Sequence, residues 1–277
     1  MLRRIASILG ATVLGAAVIS GPATPAAAAV TPSLTATIAL SNCSAALVRY
    51  PTSLDTDRAM MLTNGHCYEG GMPAAGVVLQ NNNSRRSGTL LSSSGSSLGT
   101  VRADQLLYAT MTGTDVALYR LTKSFAALKS TYGVTALTIT NTHPVDGSTM
   151  FIPSSYWKRT WNCSVNGFVA TLKEAQWTWH DSIRYNTGCD TIHGTSGSPI
   201  VDVNSGQVVG INNTGNDNGG MCTLNNPCEV DADGTTHAYQ GQSYGQEVYW
   251  FTTCLNASNQ IDLTITGCLL TKPGGTA

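Results

Sequence analysis

Beyond its first thirty residues the chain has no long apolar repeat at the 3.6-residue helical spacing. Short β-branched or apolar runs instead alternate with clusters of Gly, Ser, Asn and Thr. A chain that cannot present a helical stripe must bury its apolar side chains on strands, so the expected fold class is all-β. Candidate strands are Ala36 to Tyr50, Ala59 to Thr63, Val77 to Gln80, Gln105 to Met111, Val116 to Leu121, Thr149 to Pro153 and Phe168 to Leu172. A hairpin is expected from Pro199 to Val203 and Gln207 to Ile211, turning at Asn204-Ser205-Gly206. Asn81 to Ser97, rich in Asn, Ser and Gly, reads as a long exposed connection. Gln246 to Asn256 is the one modest helix segment, although its Val, Tyr, Trp, Phe and Thr content opposes that reading.

The N-terminus is a targeting signal rather than part of the fold. Met1 to Arg4 is basic, Ile5 to Ser20 is apolar, and Ala27-Ala28-Ala29 is a small-residue cleavage site, so residues 1–29 are expected to be removed. The apolar run falls short of the ~20 residues needed to span a bilayer. Setting aside Arg3 and Arg4 takes the formal net charge from −1 to −3, and no basic stretch exceeds Arg85-Arg86. Nucleic acid therefore has no electrostatic footing as a partner, and no membrane association is expected after signal removal.

All eight cysteines, Cys43, Cys67, Cys163, Cys189, Cys222, Cys228, Cys254 and Cys268, follow the cleavage site, and an even number in an exported chain reads as four disulfides. On the order of a hundred pairings are possible. Order along the chain suggests 43 with 67, 163 with 189, 222 with 228 and 254 with 268. No CxxC pair or paired histidines at finger-like spacing support zinc. Asp231-Ala232-Asp233-Gly234 hints at calcium, but without the rest of an EF-hand pattern it reads as a turn. His143, His180 and His237 read as ordinary polar residues. Thr140 to Gly147, with Pro144 and Gly147 between strand-like runs, is the expected boundary between a first half, 30–145, and a second, 146–277.

Three segments carry chemistry. A serine hydroxyl is a poor nucleophile at neutral pH and needs an adjacent base, a group orienting that base and donors for the developing oxyanion. Thr63-Asn64-Gly65-His66-Cys67 offers the base and Thr114-Asp115-Val116-Ala117-Leu118 the carboxylate. Gly194-Thr195-Ser196-Gly197-Ser198-Pro199 is a glycine-flanked turn offering the nucleophile. Asp104 is the nearest rival to Asp115, but Gln105 rather than an apolar strand follows it.

In this order and these contexts the segments resemble the trypsin-like peptidase family, over roughly residues 36 to 255. The family has a histidine followed by a cysteine bonded back to an upstream strand, here Gly65-His66-Cys67 with Cys43 upstream, an aspartate opening an apolar strand, and a glycine-rich serine turn. The resemblance implies two packed six-stranded antiparallel β-barrels with the active site between them. The first barrel would carry His66 and Asp115 and the second Ser196. It implies a secreted serine endopeptidase in which His66 is the general base, Asp115 holds its tautomer and Ser196 forms an acyl-enzyme. The N–H groups of Gly194 and Ser196 would form the oxyanion hole. A monomer acting on protein or peptide substrates, with no cofactor and no metal, is the corresponding expectation.

Thr195 departs from animal trypsins, which place there an aspartate that binds a newly released N-terminus. No Ile-Val-Gly-Gly-like start lies upstream of His66 either, which implies an enzyme needing no such activation. Bacterial glutamyl endopeptidases are similar, their serine turn also ending Ser-Gly-Ser-Pro. For the substrate side chain, the resemblance points to Asp190, Thr191, His193 and Asn212, with Asn213, Thr214 and Gly215 pairing to the substrate backbone. Asp190, six positions before Ser196, would favour Arg or Lys. Glutamate-preferring relatives also read Asp-Thr there, and Asn212 replaces their pocket histidine, although His193 could supply a charge; basic, acidic and other preferences stay open. A catalytically silent binding module and a serine esterase are the rivals; the esterase's usual Gly-x-Ser-x-Gly turn in an α/β pattern is missing.

Overall fold

The structure, a computed structural model, describes residues 29–275; the expected signal peptide lies almost wholly outside them. The chain is all-β. The first sheet comprises β1 (Thr37–Ala39), β2 (Ser44–Arg49), β3 (Arg58–Thr63), β4 (Val78–Asn83), β5 (Ser87–Leu91), β6 (Ser97–Thr110), β7 (Val116–Ser124) and β8 (Leu137–Thr138). Its order β1-β5-β6-β7-β3-β2 closes through antiparallel β1–β2 pairing into a six-stranded barrel, while β4 pairs with β6 and β8 runs parallel to β2. Closure removes the unpaired edges of a sheet of such short strands.

The second sheet comprises β9 (Thr149–Ser154), β10 (Arg159–Glu174), β11 (Trp177–Tyr185), β12 (Pro199–Asp202), β13 (Val208–Gly215), β14 (Cys228–Val230), β15 (Thr236–His237) and β16 (Ser243–Glu247). Here the order β11-β16-β13-β12-β9-β10 returns on itself through antiparallel β10–β11 pairing, with β14 and β15 continuing beyond β10. The architecture is that of a chymotrypsin-like fold. Residues 139–148 link the last strand of the first sheet to the first strand of the second.

The core of the first barrel is built from Ile38, Leu47, Met61, Leu62, Leu106, Tyr108, Leu118 and Tyr119, and the C-terminal segment joins it through Val248, Trp250, Phe251 and Cys254. A separate cluster around Met150, Ile152, Ile183, Tyr185 and Ile200 fills the second. Disulfides join Cys43 to Cys67, Cys163 to Cys189, Cys222 to Cys228 and Cys254 to Cys268.

Several expectations are corrected. Asn81 to Ser97 is not a long exposed connection: it contains the end of β4, all of β5 and the start of β6. Most of its polar side chains face water, Ser84 and Arg86 being the buried exceptions, while the backbone is paired into the sheet, a combination that composition reads as loop. Ala36 to Tyr50 is two antiparallel strands, β1 and β2, rather than one. Gln246 and Glu247 end strand β16, and only Tyr249–Cys254 is helical, as a 3-10 turn. An α-helix not expected from the sequence, α1 (Phe125–Tyr132), spans only about two turns, so its apolar positions Phe125, Leu128 and Tyr132 repeat too few times to stand out. Its ends are marked, however: Ser124 Oγ accepts from Ala127 N at 3.2 Å and Gly133 takes φ +70°. Asp231 to Gly234 is a turn between β14 and β15, with Gly234 N donating to Asp231 O.

Candidate active site

Strand β3 ends at Thr63 and the chain tightens at once into a 3-10 turn over Gly65–Cys67. Gly65 is required there, since a Cβ would collide with the Thr110 carbonyl and approach Asp115 Oδ1 to 2.9 Å. The Cys43–Cys67 bridge ties the turn to the approach of β2. These constraints present His66 to the opening of β7, where Asp115 is wholly buried. His66 Nδ1 lies 2.7 Å from Asp115 Oδ2, and the His66 backbone N–H donates to Asp115 Oδ1 at 2.9 Å. Asn64 Nδ2 donates to the Asp115 carbonyl at 2.8 Å. Each carboxylate oxygen thus has one donor from the histidine it faces, which fixes both side chains. Burial disfavours a charged His66, but the charge and hydrogen bond of Asp115, aided by the Glu174 charge, outweigh it and raise the imidazole pKa. The rival Asp104 is elsewhere, paired with Arg58 and Arg120.

The serine turn is carried by the second sheet and pinned to the first. Ser44 N, on β2, donates to Ser196 O at 2.8 Å, and Ser44 Oγ donates to Gly194 O at 3.3 Å. Gly194 and Gly197 both take positive φ, +89° and +81°, and a Cβ on Gly197 would overlap the Ser44 carbonyl. The Gly194 and Ser196 N–H groups donate to no acceptor among the described residues. Ser196 Oγ donates to the Asn213 carbonyl at 3.2 Å, so in this state the hydroxyl is turned toward β13. His66, Asp115 and Ser196 line one cleft of about 400 Å³.

The residues expected around the substrate divide into groups. Thr191, His193, Thr214 and Gly215 line the cleft. His193 is largely exposed, with Nε2 at 2.8 Å from Asp217 Oδ2. Asp190 is not among the residues lining the cleft: it is exposed, and its carbonyl accepts from Trp161 Nε1 at 2.9 Å. Asn212 touches the cleft wall, but its side chain works beneath the serine turn. Its Nδ2 donates to Thr195 Oγ1 at 2.9 Å and its Oδ1 accepts from Tyr185 OH at 3.0 Å. All three residues are buried, so the slot under the turn is filled by a neutral hydrogen-bonded chain. Asn213 is buried and contributes its carbonyl, while its side-chain amide has no partner.

Sequence reasoning missed Glu174. It ends β10, is 5% exposed, and lines the cleft. Its carboxylate accepts from Thr214 Oγ1 at 2.6 Å and from Asn225 N at 2.8 Å. Burial raises its pKa against the pull of those hydrogen bonds. No local motif announces it; only the β10–β13 juxtaposition does. Met72, Met111, Trp177, Trp179, Ile192 and Leu224 make much of the remaining wall apolar.

A search of curated proteins found no match. Among solved structures, the apo MamO protease domain of Magnetospirillum magneticum is 14% identical, covering 81% of this chain and 97% of that one at a TM-score of 0.49. A Nocardiopsis protease is 15% identical over 77% and 90% of the two chains, at 0.44. Cellulomonas bogoriensis chymotrypsin is 16% identical over 78% and 90%, at 0.42. The trypsin-like peptidase domain model matches residues 52–211, a span that includes His66, Asp115 and Ser196. A match over more than half of the sequence, on a chymotrypsin-like all-β frame, makes this chain a member of the trypsin-like peptidase family.

Proposed function

We propose that the chain is a secreted serine endopeptidase with His66, Asp115 and Ser196 as its triad. The observation that carries the reading is the 2.7 Å His66 Nδ1–Asp115 Oδ2 contact, made in the cleft that Ser196 also lines. A carboxylate can only accept, so it holds the proton on Nδ1 and leaves Nε2 as the free base. Rotation of Ser196 Oγ from the Asn213 carbonyl toward Nε2 lets the imidazole take the hydroxyl proton as oxygen attacks a peptide carbonyl. The imidazolium, stabilised by Asp115, then returns the proton to the leaving amine, and water releases the acyl group by the same route. The unpaired N–H groups of Gly194 and Ser196 would receive the oxyanion.

Endopeptidase action is supported by β13. Its pairing with β12 ends at Ile211, while Thr214 and Gly215 pair only with β16, which leaves the other side of residues 213–215 to add an extended substrate strand. Such recognition reads mid-chain backbone and needs no terminus. With Asp190 outside the cleft lining, the acidic side chains that line it besides Asp115 are Glu174 and Asp217, the latter paired with His193, within walls of mixed polar and apolar character. Export is supported by the four disulfides and the N-terminal signal pattern. Among the described residues no helix is long and apolar enough to cross a membrane.

A fluorophosphonate probe tests the reading: the mature protein should label and cleave casein, and Ser196→Ala should do neither. Equal labelling of both would favour a silent binding module, and ester turnover without peptide cleavage would favour an esterase. Recovery from medium of a product beginning at Val30 would test export.

A further inference from the structure

Away from the cleft, three ionisable side chains from distant parts of the sequence converge on one point. His143 comes from the 139–148 link, Asp181 from β11 and Glu247 from the end of β16, with their candidate ligand atoms all within 4.8 Å of one another. His143 Nε2 lies 3.2 Å from Asp181 Oδ2 and 3.0 Å from Glu247 Oε1. The other ring nitrogen, Nδ1, lies 2.6 Å from the Pro144 carbonyl. A carbonyl only accepts, so Nδ1 carries a proton, and in the neutral ring Nε2 then presents a lone pair to two carboxylate oxygens. Phe168 packs on the imidazole with ring centroids 4.2 Å apart and holds that orientation.

Glu247 makes the arrangement more demanding. Its side chain is 1% exposed, and apart from the 3.0 Å approach of His143 Nε2 to Oε1 neither carboxylate oxygen has a hydrogen-bond partner. Neither Asp181 nor Glu247 forms an ion pair with any Lys or Arg among the described residues. A buried carboxyl beside a second carboxylate is costly as an anion, so it either keeps a proton, burial and the Asp181 charge pushing its pKa up to about 9, or meets a cation. We propose that His143 Nε2, Asp181 and Glu247 form a site for a divalent transition-metal ion of the Zn²⁺ class.

An imidazole whose Nδ1–H is anchored on a backbone carbonyl while Nε2 faces outward is the usual setting of a metal-ligating histidine. Zinc takes nitrogen and carboxylate oxygen at about 2.0–2.2 Å in tetrahedral geometry, which sets ligand atoms roughly 3.4 Å apart, close to the 3.2 and 3.0 Å from His143 Nε2 to the two carboxylates. One nitrogen and two carboxylates are too few donors for Ca²⁺, which takes about 6–8 oxygens. His143 and Asp181 are partly exposed and Glu247 lies behind them, so an ion can enter from solvent and keep water as its fourth ligand. Such an ion would tie the link between the sheets to the strand leading into the C-terminal 3-10 turn.

The test uses the mature chain carrying Ser196→Ala to prevent self-digestion, stripped with chelator. Titration calorimetry with Zn²⁺ should give one site per chain outside the cleft. At about 100-fold excess over Kd, Tm should rise by roughly 5–10 °C. Asp181→Asn, which tolerates the +52° φ of that residue, should weaken binding at least about tenfold. Nitrogen NMR of the metal-free parent should show His143 as the Nδ1–H tautomer, with Zn²⁺ perturbing its Nε2, so the outcome does not depend on the variant folding. The proposal is overturned by a doubly protonated His143 indifferent to Zn²⁺, by equal affinity in Asp181→Asn, or by Ca²⁺ binding there in preference to Zn²⁺.

Discussion

Replacing Asp115 with Asn changes one atom and should remove nearly all activity, for a reason visible in the geometry. Asp115 is wholly buried and makes two contacts with the same histidine: Oδ1 accepts the His66 backbone N–H at 2.9 Å and Oδ2 meets Nδ1 at 2.7 Å. In the variant the amide oxygen must stay on the backbone N–H, because that donor has no other acceptor. The amide NH₂ then faces Nδ1, which becomes the acceptor, and the ring proton moves to Nε2. An imidazole protonated on Nε2 cannot accept the Ser196 proton, and loss of the correct tautomer in such triads costs about 10⁴-fold in kcat, or roughly 5.4 kcal/mol of transition-state stabilisation. A second readout comes from titration. Asp115 raises the His66 pKa against burial, so removing its charge lets burial dominate and lowers that pKa. The active form has neutral His66, so the acid limb of kcat/KM should move to lower pH as the plateau collapses. Turnover of a fluorogenic peptide across pH, with a thermal melt to establish folding, measures both. A folded variant keeping more than about a tenth of wild-type turnover, or an unmoved acid limb, would refute the tautomer argument.

Glu174→Gln should also shift the acid limb of kcat/KM to lower pH, by less, because Glu174 is a lesser contributor to the raised His66 pKa; a shift to higher pH would contradict this. Gly197→Ala should abolish activity and lower stability by at least about 1–2 kcal/mol from the positive φ alone, read by urea unfolding. Removing the Asn212 side chain with Ala strands Tyr185 OH and leaves Thr195 Oγ1 only its bond to the Ile192 carbonyl, costing about 1–3 kcal/mol, and should lower kcat more than it raises KM, since the turn rather than the pocket is loosened; steady-state kinetics separates the two. Replacing both Cys254 and Cys268 with Ser opens a loop of sequence separation 14 and should cost about 3 kcal/mol, read as a lower Tm.

The all-β class could be read from alternating short runs, and the three chemistry-bearing segments from local context, because each depends on its immediate neighbours. Gly65 clears space beside Thr110 and Asp115, Val116 to Leu118 form the strand that Asp115 opens, and Gly197 clears the Ser44 carbonyl. The disulfides follow chain order because each closes a short local loop. The residues that sequence misjudged depend on which way a side chain points once two sheets have closed. Asp190 sits near the serine turn in sequence yet is not among the residues lining the cleft, whereas Glu174, far from every motif, enters it through β10. Asn212, expected at the substrate, touches the cleft wall while its side chain also holds the turn from below, because that end of β13 is buried against Thr195 and Tyr185. The gathering of His143, Asp181 and Glu247 was equally invisible, since three strand and linker positions with no common spacing meet only after the second sheet has curled shut. Local context settled what each segment can do chemically; long-range pairing decided which segments meet, since strand register and the direction of each side chain are set by partners distant in the chain.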